Sequence, residues 1–196
     1  MTTTLFTNAH IATGEPGSTA ASTLPLQDIL VTDGVFTAFG PGLAQQYEAQ
    51  GGDLAAIEVV DLGGKLVYPP FCDTHLHLDY VFTARKPGAV NESGTLFEGI
   101  QRWSETKSDL TVDEIKQRAK IGIKKEMLHG VRLIRSHADV TDPNLTSLKA
   151  LLELKEELKD TVTLQIVSFP QEGMYSYEGP HGESGAELVE DRKSVV

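Results

Sequence analysis

The spacing of apolar residues changes near residue 65. Before that point they come in short runs of strand length. TLFTNAHIA, from Thr4, alternates weakly, and DILVTDGVFTAFG holds two runs, 29–32 and 35–39, split by Asp33-Gly34. A two-residue hairpin turn needs positive φ at both central positions, which Asp-Gly tolerates, so this spacing predicts a hairpin. AIEVVDLGGKLVYPP adds a third run, interrupted at Gly63-Gly64. STAASTLP and PGLAQQYEAQGGD read as surface loops. A small β domain is expected over residues 1–66.

From Lys65 onward the pattern alternates between strand and helix. KLVYPPFCDTHLHLD is an extended apolar run. TVDEIKQRAKIGIKKEMLHG is a helix: Thr111 and Glu114 have the spacing of a capping box, and Gly130 supplies the residue that tolerates positive φ at its end. Ile115, Ala119, Ile123 and Met127 recur every fourth residue and form one face. VRLIRSHADV reads as a buried strand. A second helix is expected to begin at Asp142-Pro143, with Leu145, Leu148, Leu151, Leu152 and Leu158 facing inward. VTLQIVSFPQEG is the next strand. Strand, helix, strand, helix, strand in that order predicts parallel βαβ units, whose functional loops gather at the carboxyl ends of the strands.

Composition narrows the functional classes. The chain has 196 residues, 40% hydrophobic and 23% charged, values of an ordinary globular protein. Its net charge is -11, with the acidic groups interspersed, which argues against nucleic acid or an anionic membrane as partner. Cys72 is the only cysteine, so no internal disulfide forms and a reducing, cytoplasmic setting is expected. No secretory leader is expected from MTTTLFTNAHIATGEPG, and no stretch has the ~18 apolar residues of a membrane span.

The candidate chemistry lies in PPFCDTHLHLDY. His75 and His77 are two residues apart, and strand side chains alternate, so both imidazoles point the same way and can reach one metal ion. Asp79 shares that parity and Cys72 does not. A bare H-x-H is a weak motif; its place at the end of the first parallel strand is what strengthens it. His137 and Asp139 share a face of the next strand and read as a hydrogen-bonded buried pair. His129 suits a helix carboxyl end. Trp103 and Phe97 read as core residues.

PPFCDTHLHLD, NESGTLFEGIQRW, RSHADVTDPNLTSLKALLELK and LQIVSFPQEG occur in this order, and together they resemble the amidohydrolase superfamily, more narrowly its bacterial cytosine deaminase-like members. The resemblance runs from about Leu5 to about Glu190 and is strongest over 69–175. It implies an α/β fold: a partial (β/α)8 TIM-type barrel, of which residues 67–190 supply the first three strands, preceded by part of a small β-sandwich in residues 1–66. It implies hydrolytic deamination of cytosine or a similar amino-substituted ring, with one divalent metal ion, Fe or Zn, activating water. His75 and His77 match the first two metal ligands. Gln171, in FPQEG, matches the glutamine that hydrogen-bonds the pyrimidine edge, a task suited to an amide with donor and acceptor side by side. Leu96, in GTLFEG, matches a residue lining the substrate pocket. The resemblance further implies a small-molecule substrate and a homo-oligomeric parent.

The family's remaining ligands and its proton-shuttling glutamate lie on strands five to eight, which have no counterpart here, so no catalytic residue is expected in this chain and it is expected to be inactive alone. Residues 191–196, DRKSVV, break the helical pattern of GAELVE and can be encoded by GATCGGAAGAGCGTCGTG, the start of a common sequencing adapter; the tail is read as an artefact of a truncated gene. The alternatives are an amidohydrolase acting on another cyclic amidine, amide or triazine, and a shortened non-catalytic binding protein. Nucleoside deaminases of the H-x-E, P-C-x-x-C type are excluded by the single cysteine.

Overall fold

The computed structural model describes residues 2–12, 24–142 and 144–173. The chain forms two units, Met1–Pro69 and Pro70–Val196. Most of STAASTLP and the whole 191–196 tail lie outside the described residues.

The first unit is a five-stranded sheet: β1 (Thr3–Ile11), β2 (Leu26–Thr32), β3 (Val35–Gly40), β4 (Glu58–Asp61) and β5 (Leu66–Val67). The order is β3-β2-β1-β4, with β5 also pairing β1. The Asp33-Gly34 hairpin forms with Thr32 opposite Val35, and both turn residues have positive φ, 50° and 79°. β4 and β5 run parallel to different stretches of β1, Thr4–Thr7 and His10–Ile11, joined across Gly63-Gly64. Because Leu66 and Val67 pair with β1, the division between units falls at the two prolines, Pro69 and Pro70. PGLAQQYEAQGGD is not a plain loop. It contains helix α1 (Leu43–Ala49), whose Leu43 is buried and whose Leu43 N–H donates to the Asp28 carboxylate. One apolar residue at a helix start sufficed to anchor it, and so short a helix has too few turns for a readable period.

The second unit carries β6 (Phe71–Leu76), α2 (Leu96–Lys107), α3 (Val112–Leu128), β7 (Val131–Asp139), α4 (Thr146–Glu157) and β8 (Thr163–Phe169). The three strands are parallel, in the order β6-β7-β8. Ile134, Ile166, Leu148, Leu151, Leu154, Ile115 and Ala119 form a continuous core between strands and helices. α3 has both halves of its capping box, and Gly130 follows its end with φ 87°. α4 begins later than expected. Asp142 does not open the helix; its carboxylate accepts the N–H groups of Asn144 and Thr146, and the helix runs from Thr146 with Leu145 as its N-cap. An aspartate that caps from outside the first turn competes with early helix formation.

α2 had no counterpart among the expected helices. Thr95 accepts the Glu98 N–H as its N-cap, yet Glu98 turns back to the N–H groups of Glu92 and Ser93, not to its own cap. Those bonds, led by Ser93, lower the Glu98 carboxyl to about 2. Phe97, read as core, is 83% exposed, whereas Trp103 of the same helix is 4% exposed. Among the described residues no helix is long and apolar enough to cross a membrane.

Candidate active site

The site lies at the carboxyl end of β6. On that strand Asp73 faces Ile134 and Leu76 faces Ser136, so three steps along β6 match two along β7. The extra residue is a β-bulge, a device that re-aims side chains next to functional sites. Asp73 accepts the His75 N–H at 3.0 Å, which satisfies a backbone donor at the bulge. His75, within the bulge, and His77, just past it, bring their Nε2 atoms to 3.3 Å of one another.

His77 is held from behind. Its Nδ1 lies 3.1 Å from the His137 carbonyl oxygen, an acceptor only, so Nδ1 carries the proton and Nε2 keeps its lone pair. Burial lowers the His77 pKa, which favours the neutral ring that a metal requires. Tyr80 stacks on His77 with ring centroids 4.7 Å apart. The His137 ring stacks on His75 at 4.2 Å, and its buried Nδ1 has no hydrogen-bond partner. His137 therefore belongs with the histidines, not with Asp139 as their shared strand face suggested.

Two nitrogens on a tetrahedral ion with bonds of ~2.0–2.1 Å are separated by roughly 3.3–3.4 Å, so the observed spacing fits a shared ion. Among the described residues no group of three or more His, Cys, Asp or Glu side chains is placed to complete such a site. Asp79 does not turn toward the pair. Wholly buried, it accepts the N–H groups of Asp139 and Tyr80, because the chain leaves β6 at Leu76 and strand parity ends there. Burial pushes its carboxyl up to about 7 against those two bonds. The Tyr80 hydroxyl is likewise pushed up by burial, to about 12.

A cavity of about 640 Å³ opens over the histidines and is lined by His75, His77, Tyr80, Leu96, Trp103 and Gln171, among others. Leu96, 75% exposed, and Gln171 thus reach the same space as the two histidines from 21 and 96 residues beyond His75. Trp103 is both core and wall: its Nε1–H donates to the buried Asp139 at 2.7 Å while its ring meets Tyr80 at 4.7 Å. Asp139 also accepts from Thr141 and Lys107. The expected buried, satisfied role of Asp139 holds; its partners are Trp103, Lys107 and Thr141.

The sequence profile of the Amidohydrolase family matches residues 58–194. The chain is 35% identical over 120 residues, 59% of its length, to N-isopropylammelide isopropyl amidohydrolase of Pseudomonas sp., of which it covers 30%. It is 27% identical over 152 residues to pterin deaminase of Rhizobium rhizogenes, covering 32% of that protein. Among solved structures, 5-methylcytosine deaminase from Klebsiella pneumoniae, liganded with 5-fluorocytosine, superposes with a TM-score of 0.76 at 35% identity, over 97% of this chain and 41% of that one. The chain thus spans well under half of each of these proteins. It belongs to the amidohydrolase family, and its β6–β8 unit corresponds to part of that family's TIM barrel.

Proposed function

We propose that the whole protein hydrolyses the exocyclic carbon–nitrogen bond of an amino-substituted nitrogen heterocycle, cytosine or a close analogue, with a divalent ion, Fe or Zn, held in part by His75 and His77. One observation carries this reading: two imidazole nitrogens 3.3 Å apart on the wall of a cavity that Gln171 and Leu96 also line. When bound, such an ion acts as a Lewis acid and makes water a competent nucleophile near neutral pH. His77, neutral through burial and anchored at Nδ1, presents its Nε2 lone pair without having to lose a proton first. Gln171 offers an amide donor and acceptor to the ring edge. Tyr80, Trp103 and Phe169 line the cavity with aromatic surface that excludes water from the ring. No residue of this chain is assigned to proton transfer. A cytoplasmic, homo-oligomeric protein belongs to the same reading.

The similarity to relatives named for cytosine, pterin and ammelide supports the substrate class, since all three are nitrogen rings bearing amino substituents. The 35% identity to the ammelide enzyme favours a second reading, release of an alkylamine from a triazine. The test uses the whole protein. Metal content is measured alongside amine release from cytosine, 5-methylcytosine, pterin and N-isopropylammelide. His77→Ala is expected to lose metal and activity together. Unchanged metal stoichiometry in that variant would remove the ligand assignment, and isopropylamine release without ammonia release would select the triazine reading.

A further inference from the structure

Gln171 lies in a short turn after β8, closed by the Gln171 N–H to Phe169 carbonyl bond and the Gly173 N–H to Pro170 carbonyl bond. A turn of this kind does not by itself fix a long amide side chain. The neighbouring residue, Glu172, does not line the cavity; it accepts from Lys107 Nζ at 2.7 Å and from the Ser104 hydroxyl, both on α2. Lys107 also donates to Thr141 Oγ1 at 2.7 Å and to Asp139 Oδ2 at 3.3 Å. Its side chain is only 11% exposed. An ammonium has three protons, and this one meets three acceptors, from the end of β7, the loop beyond it, and the turn after β8. With every donor engaged and little water nearby, the lysine has one geometry available, and so do the groups it holds.

We propose that Lys107 and Glu172 form a latch that positions Gln171 for the substrate ring. α2 supplies the cavity wall through Leu96 and Trp103, and its last turn ties down the turn that carries Gln171. The latch is a positioning device: neither Lys107 nor Glu172 lines the cavity. The inference rests on the proposed role of Gln171 as the ring-binding amide.

Glu172 is the better residue to change, because its loss leaves Lys107 paired with the buried Asp139, whereas Lys107→Met strips a buried carboxylate of its cation. The experiment is a double-mutant cycle on cytosine turnover in the whole protein, with Glu172→Ala, Gln171→Ala and the pair, and with metal content and thermal midpoint measured for each. Glu172→Ala is expected to raise KM or lower kcat/KM by roughly ten- to a hundred-fold, the scale of a small misplacement of a binding group. Metal content is expected to stay at wild type. In the Gln171→Ala background the same change is expected to have no further effect, since there is nothing left to position. Glu172→Gln, whose amide oxygen still accepts from Lys107, is expected to recover most of the loss. Independent, multiplicative effects of the two substitutions would overturn the latch, as would wild-type kinetics in Glu172→Ala. If Gln171→Ala itself has wild-type kinetics on cytosine, the role of Gln171 falls first and the latch falls with it. That result separates a failure of the functional reading from a failure of the coupling.

Discussion

The two units share one use of a buried acid and differ in another: Asp79 and Asp142 of the second unit accept backbone N–H groups, as Asp28 of the first does, but Asp139 has no counterpart in the first among the described residues. In the β-sheet unit, Asp28 is the buried carboxylate among the described residues, and it serves the backbone: Oδ1 accepts the Asn8 N–H where β1 bulges and Oδ2 accepts the Leu43 N–H at the start of α1. In the barrel-type unit, Asp139 at the end of β7 gathers side chains, taking Trp103 Nε1, Lys107 Nζ and the Thr141 hydroxyl. The apolar groups differ in parallel. Val35, Phe36, Phe39 and Val59 of the first unit stay exposed, whereas the strands β7 and β8 bury Ile134, Leu164 and Ile166 among helices. Asp139 is 1% exposed, so water cannot satisfy its oxygens, and side chains from α2 and from the loop after β7 do so instead. Where the partners are side chains from several elements, the acid fixes geometry at the strand ends, which is where the cavity lies.

The largest effect that would test this contrast comes from removing each acid. Asp139→Ala leaves the Trp103 N–H without its acceptor and takes the buried carboxylate away from the Lys107 ammonium, and is expected to cost about 3–5 kcal/mol of stability. Asp28→Ala strands two backbone N–H groups and is expected to cost about 1–3 kcal/mol, confined to the first unit. Denaturant unfolding with peptide-resolved hydrogen exchange measures both. Equal costs, or loss of protection in both units from either change, would erase the distinction.

Next in size is a pair of apolar truncations. Ile134→Ala empties a fully buried position and is expected to cost about 2–5 kcal/mol. Phe36→Ala, at a site 64% exposed, is expected to shift stability by no more than about 0.5 kcal/mol. A large cost at Phe36 would show that its face is covered in the whole protein.

The smallest expected effect concerns pH. The Glu114 carboxyl is held below its ordinary value, first by the Thr111 N–H of the capping box and then by Lys86. A carboxyl whose folded pKa is depressed adds stability that is complete above its unfolded value and disappears as pH falls through the folded one. Glu114→Gln is therefore expected to flatten the fall in thermal midpoint below about pH 4.5 and to leave its shape above that unchanged. An acid limb identical to wild type would show that the cap is electrostatically neutral.

Local signals were legible because each involves residues a few positions apart. Asp33-Gly34 dictates the hairpin through the φ values its two positions tolerate, and Thr111 with Glu114 closes a capping box within one turn. Thr95 and Glu98 have the same spacing, so the start of α2 could have been read in the same way. The order of strands and helices specified the parallel unit. His75 and His77 stood out as a pair because their separation along a strand allows them to share a face. Tertiary structure decided the rest, because the groups concerned meet across long stretches of chain. The carbonyl of His137, 60 residues away, orients His77, and the lysine that ties the turn carrying Gln171 to Asp139 lies 32 residues before that aspartate. Asp79 has the parity of a third ligand in the sequence, but the strand ends at Leu76 and a buried backbone N–H claims its carboxylate. A periodic pattern specifies which face a side chain occupies only while the element lasts; beyond its end, the partner that satisfies a buried charge determines where that side chain points.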